Sequence, residues 1–319
     1  MTEPAATRQA YHDRLMTLMA ADPRVICVDT DTGLFTAADA AAAGDRYIDL
    51  GIAEHTAMGA AAALAASGWI PFVNTMATFA STRALEAVKV NIAQNALPVR
   101  IAATHGGVAA GHLGPTHHAL EDLAVMRALP HMTVLVPADA RSAASLAGQA
   151  AGLDGPVYLR LGRKPTPGLP GDPRPPSIGQ IQPLREGADV VIVSCGPHPV
   201  LASLAAATLL SRAGIEAAVL NAHTIKPFDR DTLLSRAAAA ALVVTVEEHR
   251  VTGGLGGVVA EVLTECLPRR LLRLGLPESL VPGCGSPEHI LELHGLDAGQ
   301  VAARVRAALD GDLPARSTL

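Results

Sequence analysis

The sequence predicts an α/β protein made of two parallel-sheet units, and three observations lead to this fold class. Short apolar runs alternate with longer helix-like segments, which is typical of successive βαβ units. A proline-rich stretch interrupts the alternation near the middle of the chain. The 319 residues are 49% hydrophobic and 17% charged, which is enough apolar material for two ordinary cores.

The first unit is expected to span residues 1–168. Apolar runs predict strands at 25–28, 99–103, 133–136 and 157–159, and a further strand that ends at Tyr47 and Ile48. Helical patterns between them predict helices at 56–67, 81–94, 120–128 and 140–151. Because helices separate the predicted strands, we expect the strands to run parallel.

A linker is expected at 169–187, because closely spaced prolines in and just before it oppose regular structure. A smaller α/β unit is then expected at 188–319. Its predicted strands lie at 189–193, 217–220, 241–246 and 271–274. A glycine-rich run at 253–257 precedes a predicted helix at 257–264, but its spacing is not Gly-x-Gly-x-x-Gly, so we expect no dinucleotide site.

Composition excludes several classes of protein. The net charge of −5 argues against a nucleic-acid-binding surface. The first residues show no basic segment followed by an apolar one, and no apolar run reaches about 18 residues without glycine, proline or charge. We therefore expect a soluble cytoplasmic protein that does not bind membranes. The cysteines Cys27, Cys195, Cys266 and Cys284 are widely spaced, and we expect buried, reduced thiols.

One carboxylate occupies a position that suits a catalytic residue. Glu54 follows the strand that ends at Ile48 and lies two residues before the start of the predicted Ala-rich helix at 56–67. The free N–H groups of a helix N-terminus would keep this carboxylate ionised and aimed into a crevice, rather than buried at a cost. An open α/β sheet binds ligands at the carboxyl ends of its strands. The simpler alternative is a glutamate that only caps the helix dipole.

Several separated sequence blocks extend the argument to most of the chain. In order, they include Ala6-Thr-Arg-Gln-Ala10, Asp49-Leu-Gly-Ile-Ala-Glu-His55, Pro71-Phe-Val-Asn-Thr-Met-Ala-Thr-Phe79, Arg83-Ala84, Thr104-His-Gly-Gly107, Gly114-Pro-Thr-His117, residues 159–163 and Glu247-Glu-His249. The ordered set resembles the later part of the transketolase family of thiamine diphosphate enzymes. The resemblance implies a parallel-sheet pyrimidine-binding domain, followed by the smaller α/β transketolase C-terminal domain.

The resemblance also implies roles for individual residues. Glu54 matches the family's carboxylate that stabilises the protonated aminopyrimidine ring, so that the exocyclic nitrogen can accept the thiazolium proton. Phe79 matches the aromatic on which the pyrimidine stacks, with core packing as the alternative. Asp31 is a minor candidate for the cofactor crevice, since an Asp before Thr-Gly is also common in turns.

Further matched positions concern the substrate. His105 and His117 match histidines that contact the sugar phosphate and shuttle protons, which suits a histidine with an unperturbed pKa. Arg8 and Arg163 match arginines that grip the substrate phosphate, and a guanidinium suits phosphate or sulfonate equally. A solvated surface charge is the alternative for either arginine, and an ion pair at the edge of the linker is a further alternative for Arg163. His112 and His118 have weaker claims and are assigned to the surface or to a supporting layer.

A transition-metal site in this histidine-rich stretch is not expected. The stretch contains His105, His112, His117 and His118, but they are not one helical turn apart and no cysteine accompanies them. Two departures from the family pattern concern the substrate instead. Leu113 replaces an acidic residue that would accept a substrate hydroxyl, and Met76 stands where an aromatic is common. These departures leave the sugar unspecified.

The chain contains no Gly-Asp-Gly motif, which in full-length family members holds the metal and the cofactor diphosphate. The resemblance therefore predicts the C-terminal subunit of a split transketolase, with thiamine diphosphate and Mg²⁺ anchored mainly by a separate N-terminal subunit. Two copies of each chain are expected, because assemblies of this kind are closed and symmetric. The alternatives are the β subunit of a 2-oxoacid dehydrogenase and a non-catalytic regulatory homologue.

Overall fold

The computed structural model describes residues 3–170 and 175–311. Residues 171–174 of the expected linker lie outside the described part, as do residues 1–2 and residues 312–319 of the expected second unit. The strands are β1 (Val25–Asp29), β2 (Tyr47–Asp49), β3 (Ile70–Met76), β4 (Arg100–Thr104), β5 (Thr133–Leu135), β6 (Val157–Arg160), β7 (Gln182–Arg185), β8 (Val190–Cys195), β9 (Ala217–Asn221), β10 (Thr224–Lys226), β11 (Leu242–Arg250) and β12 (Leu271–Leu276).

Helices connect most of these strands. They are α1 (Thr7–Ala21), α2 (Ala37–Ala43), α3 (Glu54–Ala66), α4 (Ala77–Ser81), α5 (Leu85–Ala87), α6 (Asp122–Ala128), α7 (Ala140–Ala151), α8 (Pro197–Ser211), α9 (Arg230–Ala237), α10 (Leu255–Cys266), α11 (Pro287–Leu293) and α12 (Ala298–Asp310). Short 3-10 turns occur at Gly44–Arg46, Gly111–Leu113 and Pro115–His117. The α/β fold class is confirmed.

The first sheet has seven strands in the order β10-β5-β6-β4-β3-β1-β2. All of its neighbouring strands run parallel except β10, which pairs antiparallel with β5 at the edge. On one face, α1 and α7 bury Tyr11, Leu15 and Leu146 against the sheet. On the other face, the Ala-rich α3 packs closely through Ala57, Met58 and Ala61. Both faces are covered, as a parallel sheet requires.

The second sheet has five strands in the order β12-β11-β8-β9-β7. Its β7 lies inside the predicted linker, so the expectation that 169–187 lacks regular structure is wrong for Gln182–Arg185. The strand pairs antiparallel with β9 at the sheet edge, where the missing N–H of Pro183 is tolerated. The apolar cores of the two sheets are continuous, since Val134 and Tyr158 share one cluster with Val193 and Leu255.

The single helix expected at 81–94 is also wrong. The segment contains the end of α4, the short α5 and a π-helical stretch at Val88–Ala93. The break after Ser81 lets Arg83 leave the helical path, while Val88 and Ile92 remain buried against the core. π-helical segments are frequent near functional sites.

The prediction of buried thiols holds for two of the four cysteines. Cys27 and Cys195 lie in β1 and β8 and are buried, because central strands are covered on both faces. Cys266 and Cys284 are exposed, since the first ends α10 and the second lies in a surface loop before α11. Among the described residues, no helix combines the length and the apolar character needed to cross a bilayer.

Candidate active site

The carboxyl edge of the first sheet brings most of the predicted residues together. Because β2, β3, β4 and β6 are parallel, the segments that follow them meet at one edge. Glu54 follows β2, Phe79 follows β3, His105 follows β4 and Arg163 follows β6. Positions scattered over more than a hundred residues of the chain thus share one edge of the sheet.

Glu54 is the first residue of α3 and is almost completely buried, with 2% of its surface exposed. The expectation that it would avoid burial is therefore wrong. Arg83 compensates its charge, because Arg83 Nη1 donates a hydrogen bond to Glu54 Oε2 at 2.9 Å. The ion pair and the position at a helix N-terminus offset part of the cost of burying this carboxylate.

Arg83 makes a second contact, with the aromatic ring of Phe79. Its guanidinium carbon lies 4.5 Å from the centroid of that half-buried ring, which is a cation–π distance. His117 approaches the same ring edge-on, with the ring centroids 5.4 Å apart and an interplanar angle of 77°. Glu54, Arg83, Phe79 and His117 therefore form one continuous set of contacts, which we call the pyrimidine-side cluster.

The start of α1 lies against the end of β6. The backbone N–H of Arg8 donates to the Gly162 carbonyl at 3.3 Å, which places Arg8 near Arg163. Burial and the neighbouring Arg163 lower the pKa of the Arg8 guanidinium. Among residues 3–170 and 175–311, neither arginine side chain forms an ion pair with a carboxylate. Two adjacent guanidiniums in this state favour binding of an anion.

His105 completes this positively charged end of the site. Burial, followed by the charges of Arg8, Arg163, His112 and His117, lowers the pKa of His105 to about 4. The expected unperturbed pKa is therefore wrong for His105, and its imidazole is neutral at pH 7. We call Arg8, His105 and Arg163 the anion-side cluster.

The hydrogen bonds of His105 also indicate its tautomer. The Thr104 hydroxyl lies 3.2 Å from the Thr75 carbonyl and 2.9 Å from His105 Nδ1. The hydroxyl donates its single hydrogen to the carbonyl, so it accepts from Nδ1–H, an assignment made from the hydrogen-bond pattern. His105 Nε2 is then free to accept a hydrogen bond from a ligand.

The remaining histidines differ in their surroundings. His117 is half-buried and His112 is exposed, whereas His118 is only 5% exposed. Of the two alternatives for His118, the surface position is thus excluded and the supporting layer remains, and its ring nitrogens find no hydrogen-bond partner among the described residues. In the described part of the chain, no three His, Cys, Asp or Glu side chains lie together in a way that could hold a metal ion.

The second unit contacts the segment 105–121, which carries the four histidines and which we call the histidine loop. Gly285 N–H donates to the Gly111 carbonyl at 3.1 Å, and the buried Glu248 accepts a hydrogen bond from Val108 N–H at 2.7 Å. Gly107, with φ +62°, has no room for a side chain, since an added Cβ would lie 2.4 Å from Glu248 Cγ. The histidine loop is therefore positioned partly by the C-terminal unit.

A buried ion pair between Arg160 and Asp122 also holds the histidine loop in position. Arg160 donates to both carboxylate oxygens of Asp122, at 2.8 and 3.0 Å, and to the carbonyls of Ala119 and Glu248. These contacts join β6, the histidine loop and β11. A fully satisfied arginine of this kind fixes geometry more than it adds net stability.

Asp31 has contacts that differ from those of the other candidates. It is exposed, has a positive φ of 56°, and donates its backbone N–H to Asp49 Oδ1 at 3.1 Å. Asp49 also accepts from Gly51 N–H, so it fixes the turn before Glu54. Asp31 lies at the same sheet edge, but it contacts neither the pyrimidine-side cluster nor the anion-side cluster.

Sequence reasoning missed several residues that the structure places at the site. The sequence places Arg83 only within a matched block, and it indicates no role for Arg160, Glu248 or Gly285. An arginine shortly after a predicted stacking aromatic is a usable signal for Arg83, since Arg often covers aromatic faces. The contacts of Gly285 and Glu248 depend on tertiary packing, and no local pattern reveals them.

Comparison with known proteins shows the family to which the chain belongs. Residues 3–167 match the pyrimidine binding domain of transketolase, and residues 179–301 match the transketolase C-terminal domain. The chain therefore belongs to the transketolase family. It contains the C-terminal part of a transketolase and is homologous to subunits of split transketolases, which confirms the resemblance drawn from the sequence.

The similar proteins include subunits with named sugar substrates. The chain is 37% identical over 305 residues to the 6-deoxy-6-sulfo-D-fructose transketolase subunit SqwH of Clostridium sp., a match that covers 94% of this chain and 92% of that protein. It is also 37% identical over 296 residues to a subunit of the apulose-4-phosphate transketolase of Phocaeicola vulgatus, covering 92% of this chain and 94% of that protein.

A similar solved structure is described as a split gene transketolase, an inactive beta4 tetramer. It is 40% identical to this chain, and the structural match has a TM-score of 0.85. The match covers 97% of this chain and 98% of that one. The similarity in both sequence and structure extends across the two sheets. Dependence on thiamine diphosphate is general to the family.

Proposed function

We propose that this chain is the C-terminal subunit of a thiamine diphosphate-dependent split transketolase. With a partner subunit, it would transfer a two-carbon ketol unit from an anionic ketose to an aldose. The observation that carries this proposal is the pyrimidine-side cluster, where the buried Glu54 carboxylate and the face of the Phe79 ring lie on either side of one guanidinium, that of Arg83. When bound, the cofactor supplies the nucleophilic carbon that takes up and releases the two-carbon unit.

The contacts within the pyrimidine-side cluster suit an aminopyrimidine ring. The Arg83 guanidinium is a flat cation, and it both covers the Phe79 ring and donates to Glu54. A protonated aminopyrimidine is also a flat, cationic hydrogen-bond donor. The contacts of Arg83 therefore support the proposal that the space between Phe79 and Glu54 would accept a ring of that shape, charge and hydrogen-bonding character.

Each residue then has a defined task. Glu54 would accept a hydrogen bond from the protonated ring nitrogen and stabilise its charge, while Phe79 would support the ring's face. His117 lies edge-on to Phe79 and is half-buried, so it would contact the substrate where it meets the cofactor. We keep Asp31 as a candidate for the rim of the cofactor crevice, because it follows the neighbouring strand β1.

The anion-side cluster would hold the charged end of the sugar. Arg8 and Arg163 would grip a phosphate or sulfonate, and His105 would bond to the same group or to an adjacent oxygen. A bound anion would offset the nearby positive charges and raise the pKa of His105 toward its ordinary value. His105 would then exchange protons at a pH closer to neutrality than the free site allows.

Two observations bear on the class of sugar. Leu113 is 47% exposed in the 3-10 turn Gly111–Leu113 and cannot accept a hydrogen bond from a hydroxyl. The names of the Clostridium and Phocaeicola relatives specify a sulfonated deoxysugar and a sugar phosphate. Both are anionic, as the arginines require, and we propose a substrate with an apolar or deoxygenated carbon beside Leu113.

The partner subunit would supply the diphosphate and Mg²⁺ site that this chain's sequence lacks. We propose an assembly with two copies of each chain, since the split-gene relative is described as a beta4 tetramer that is inactive in that form. A candidate partner is a chain with a Gly-Asp-Gly motif followed, some tens of residues later, by Asn.

The decisive experiment compares cofactor binding and ketol transfer in matched variants. Thiamine diphosphate with Mg²⁺ is titrated calorimetrically into this chain alone and into its mixture with the candidate partner. We expect tight binding only in the mixture, together with transfer from a ketose phosphate or sulfonate. Glu54→Gln should lower the transfer rate by about 100-fold or more, because the ring nitrogen loses its carboxylate partner.

Glu86→Gln is the matched control. Glu86 is exposed and pairs with His55, so the variant removes a similar charge close to the site without touching the cluster. Tight binding to the lone chain, or full transfer by Glu54→Gln, would contradict the proposal. Oxidative decarboxylation of a 2-oxoacid instead of transfer would identify a dehydrogenase β subunit, and binding to neither form would favour a regulatory homologue.

A further inference from the structure

The position of Arg83 leads to an inference that rests on the proposed function. A ring that stacks on Phe79 and hydrogen-bonds to Glu54 must fill the space between these two side chains. The Arg83 guanidinium already occupies that space, 4.5 Å from the Phe79 centroid and 2.9 Å from Glu54 Oε2. Two flat groups cannot occupy one position at van der Waals distance from the same ring face.

We propose that Arg83 is an internal occupant of the pyrimidine site, which holds Glu54 and Phe79 in position and is displaced by the cofactor's aminopyrimidine ring. The ion pair with Arg83 offsets the burial of the Glu54 carboxylate until the ring takes over that task. Arg83 is thus a positioning residue whose departure accompanies cofactor binding.

The surroundings of Arg83 allow such a displacement. Its side chain is 49% exposed, whereas that of Glu54 is 3% exposed, so the arginine can move into solvent while the carboxylate stays. Among the described residues, Glu54 provides the only hydrogen bond to its guanidinium. Departure therefore breaks one ion pair and one cation–π contact, and it returns conformational freedom to a long side chain.

The strength of these two contacts sets the expected effect. A partly exposed ion pair and an exposed cation–π contact are individually weak. Removing both by Arg83→Ala should increase the affinity of the assembled enzyme for thiamine diphosphate by about tenfold. Arg83→Gln keeps a polar but shorter and uncharged side chain, so its affinity should lie between those of the wild type and Arg83→Ala.

The first measurement is calorimetric titration of thiamine diphosphate and Mg²⁺ into the assembled subunits, with Lys89→Ala as the control. Lys89 is exposed on the neighbouring π-helical segment and contacts neither Phe79 nor Glu54, so this variant removes the same charge elsewhere. Tighter binding by Arg83→Ala but not by Lys89→Ala supports the inference. Equal or weaker binding by Arg83→Ala overturns it.

A second measurement needs neither cofactor nor activity. The free energy of unfolding of the full chain is measured for Arg83→Ala, Glu54→Gln and the double variant. If the ion pair forms in solution, Arg83→Ala should destabilise the wild-type chain clearly more than the Glu54→Gln chain. Additive effects would overturn the inference even if binding increased.

The two proposals fail in different ways. If the wild-type assembly binds no thiamine diphosphate, the proposed function fails, and the displacement inference fails with it. If the wild-type assembly binds the cofactor and transfers ketol units but Arg83→Ala gains no affinity, only the displacement inference is overturned.

Discussion

Thr7 and Gly162 lie 155 residues apart in the chain, and hydrogen bonds between them join the start of α1 to the segment after β6. Gly162 N–H donates to Thr7 Oγ1 at 2.8 Å, and the Thr7 hydroxyl lies 3.3 Å from the Gly162 carbonyl. Each residue directly precedes an arginine of the anion-side cluster, Arg8 and Arg163. An almost fully buried threonine thus positions two guanidiniums that come from opposite ends of the first unit.

Thr7→Val should weaken binding of the anionic substrate while leaving cofactor binding intact. The substitution keeps the shape of the side chain but leaves the Gly162 N–H without its acceptor, which costs about 1–3 kcal/mol. The gap between Arg8 and Arg163 should widen, and KM for a ketose phosphate or sulfonate should rise about tenfold with little change in kcat. Steady-state kinetics on the assembled subunits measure both constants.

Thr17→Val is the matched control, because Thr17 lies on the same helix and its hydroxyl donates a hydrogen bond to the Asp13 carbonyl at an exposed site. A similar rise in KM for both variants would show that the Thr7 contact has no special role in positioning the arginines.

His105→Asn should flatten the dependence of stability on pH. The unfolded chain protonates His105 near pH 6.5, whereas the folded chain keeps it neutral down to about 4. The free energy of unfolding is therefore unaffected by His105 protonation above pH 6.5. It decreases as the pH falls from 6.5 toward 4, because only the unfolded chain binds the proton in that range. The wild type should lose about 2 kcal/mol more than His105→Asn between about pH 7 and pH 5.

Urea unfolding at a series of pH values measures this difference. Asparagine is suitable because it tolerates the positive φ of 60° at this position. His131→Asn is the control, since His131 has a similar φ of 59° but is exposed. Identical pH profiles for the wild type and His105→Asn would contradict the proposed burial of a neutral His105 among cations.

The sequence predicts the parts of this structure that depend on local patterns. Strands such as β1 and β8, and helices such as α7, appear within a few residues of their expected bounds, because apolar periodicity is a local property. Local patterns do not predict the antiparallel strands β7 and β10, and the reason is physical. Each joins a sheet edge through long-range pairing, and β10 joins the first sheet from the second half of the chain.

The candidate site shows the same division. Glu54, Phe79 and His105 follow recognisable blocks of sequence, so their presence at one sheet edge could be expected. The sequence does not predict that Glu54 is buried, or that Arg83 lies between Glu54 and Phe79. Both features depend on how α3 packs against the broken helix after Ser81. The low pKa of His105 likewise arises from charges that are distant in sequence.

Leu113→Asp should shift selectivity toward more hydroxylated sugars. The new carboxylate could accept a hydrogen bond from a substrate hydroxyl, a contact that the leucine cannot make. We expect the ratio of kcat/KM for a hydroxylated ketose phosphate to that for a deoxygenated analogue to rise about tenfold or more. Leu280→Asp is the control, because Leu280 is also exposed but lies in the second unit. An unchanged ratio in Leu113→Asp would place Leu113 away from the substrate.

Gly111→Ala should slow ketol transfer without weakening cofactor binding, because it disturbs the seat of the histidine loop on the second unit. An added Cβ would lie 2.6 Å from both the Gly285 carbonyl oxygen and Ile290 Cδ1, so the loop or the second unit must shift. Overpacking of this kind costs about 1–3 kcal/mol, and the displaced His117 should lower kcat/KM by about tenfold to 100-fold. Kinetics and cofactor titration on the assembled subunits measure the two effects separately.

Gly152→Ala is the control, since the nearest atom to its new Cβ lies at an ordinary 3.7 Å. Full activity in Gly111→Ala would mean that the second unit does not position the histidine loop.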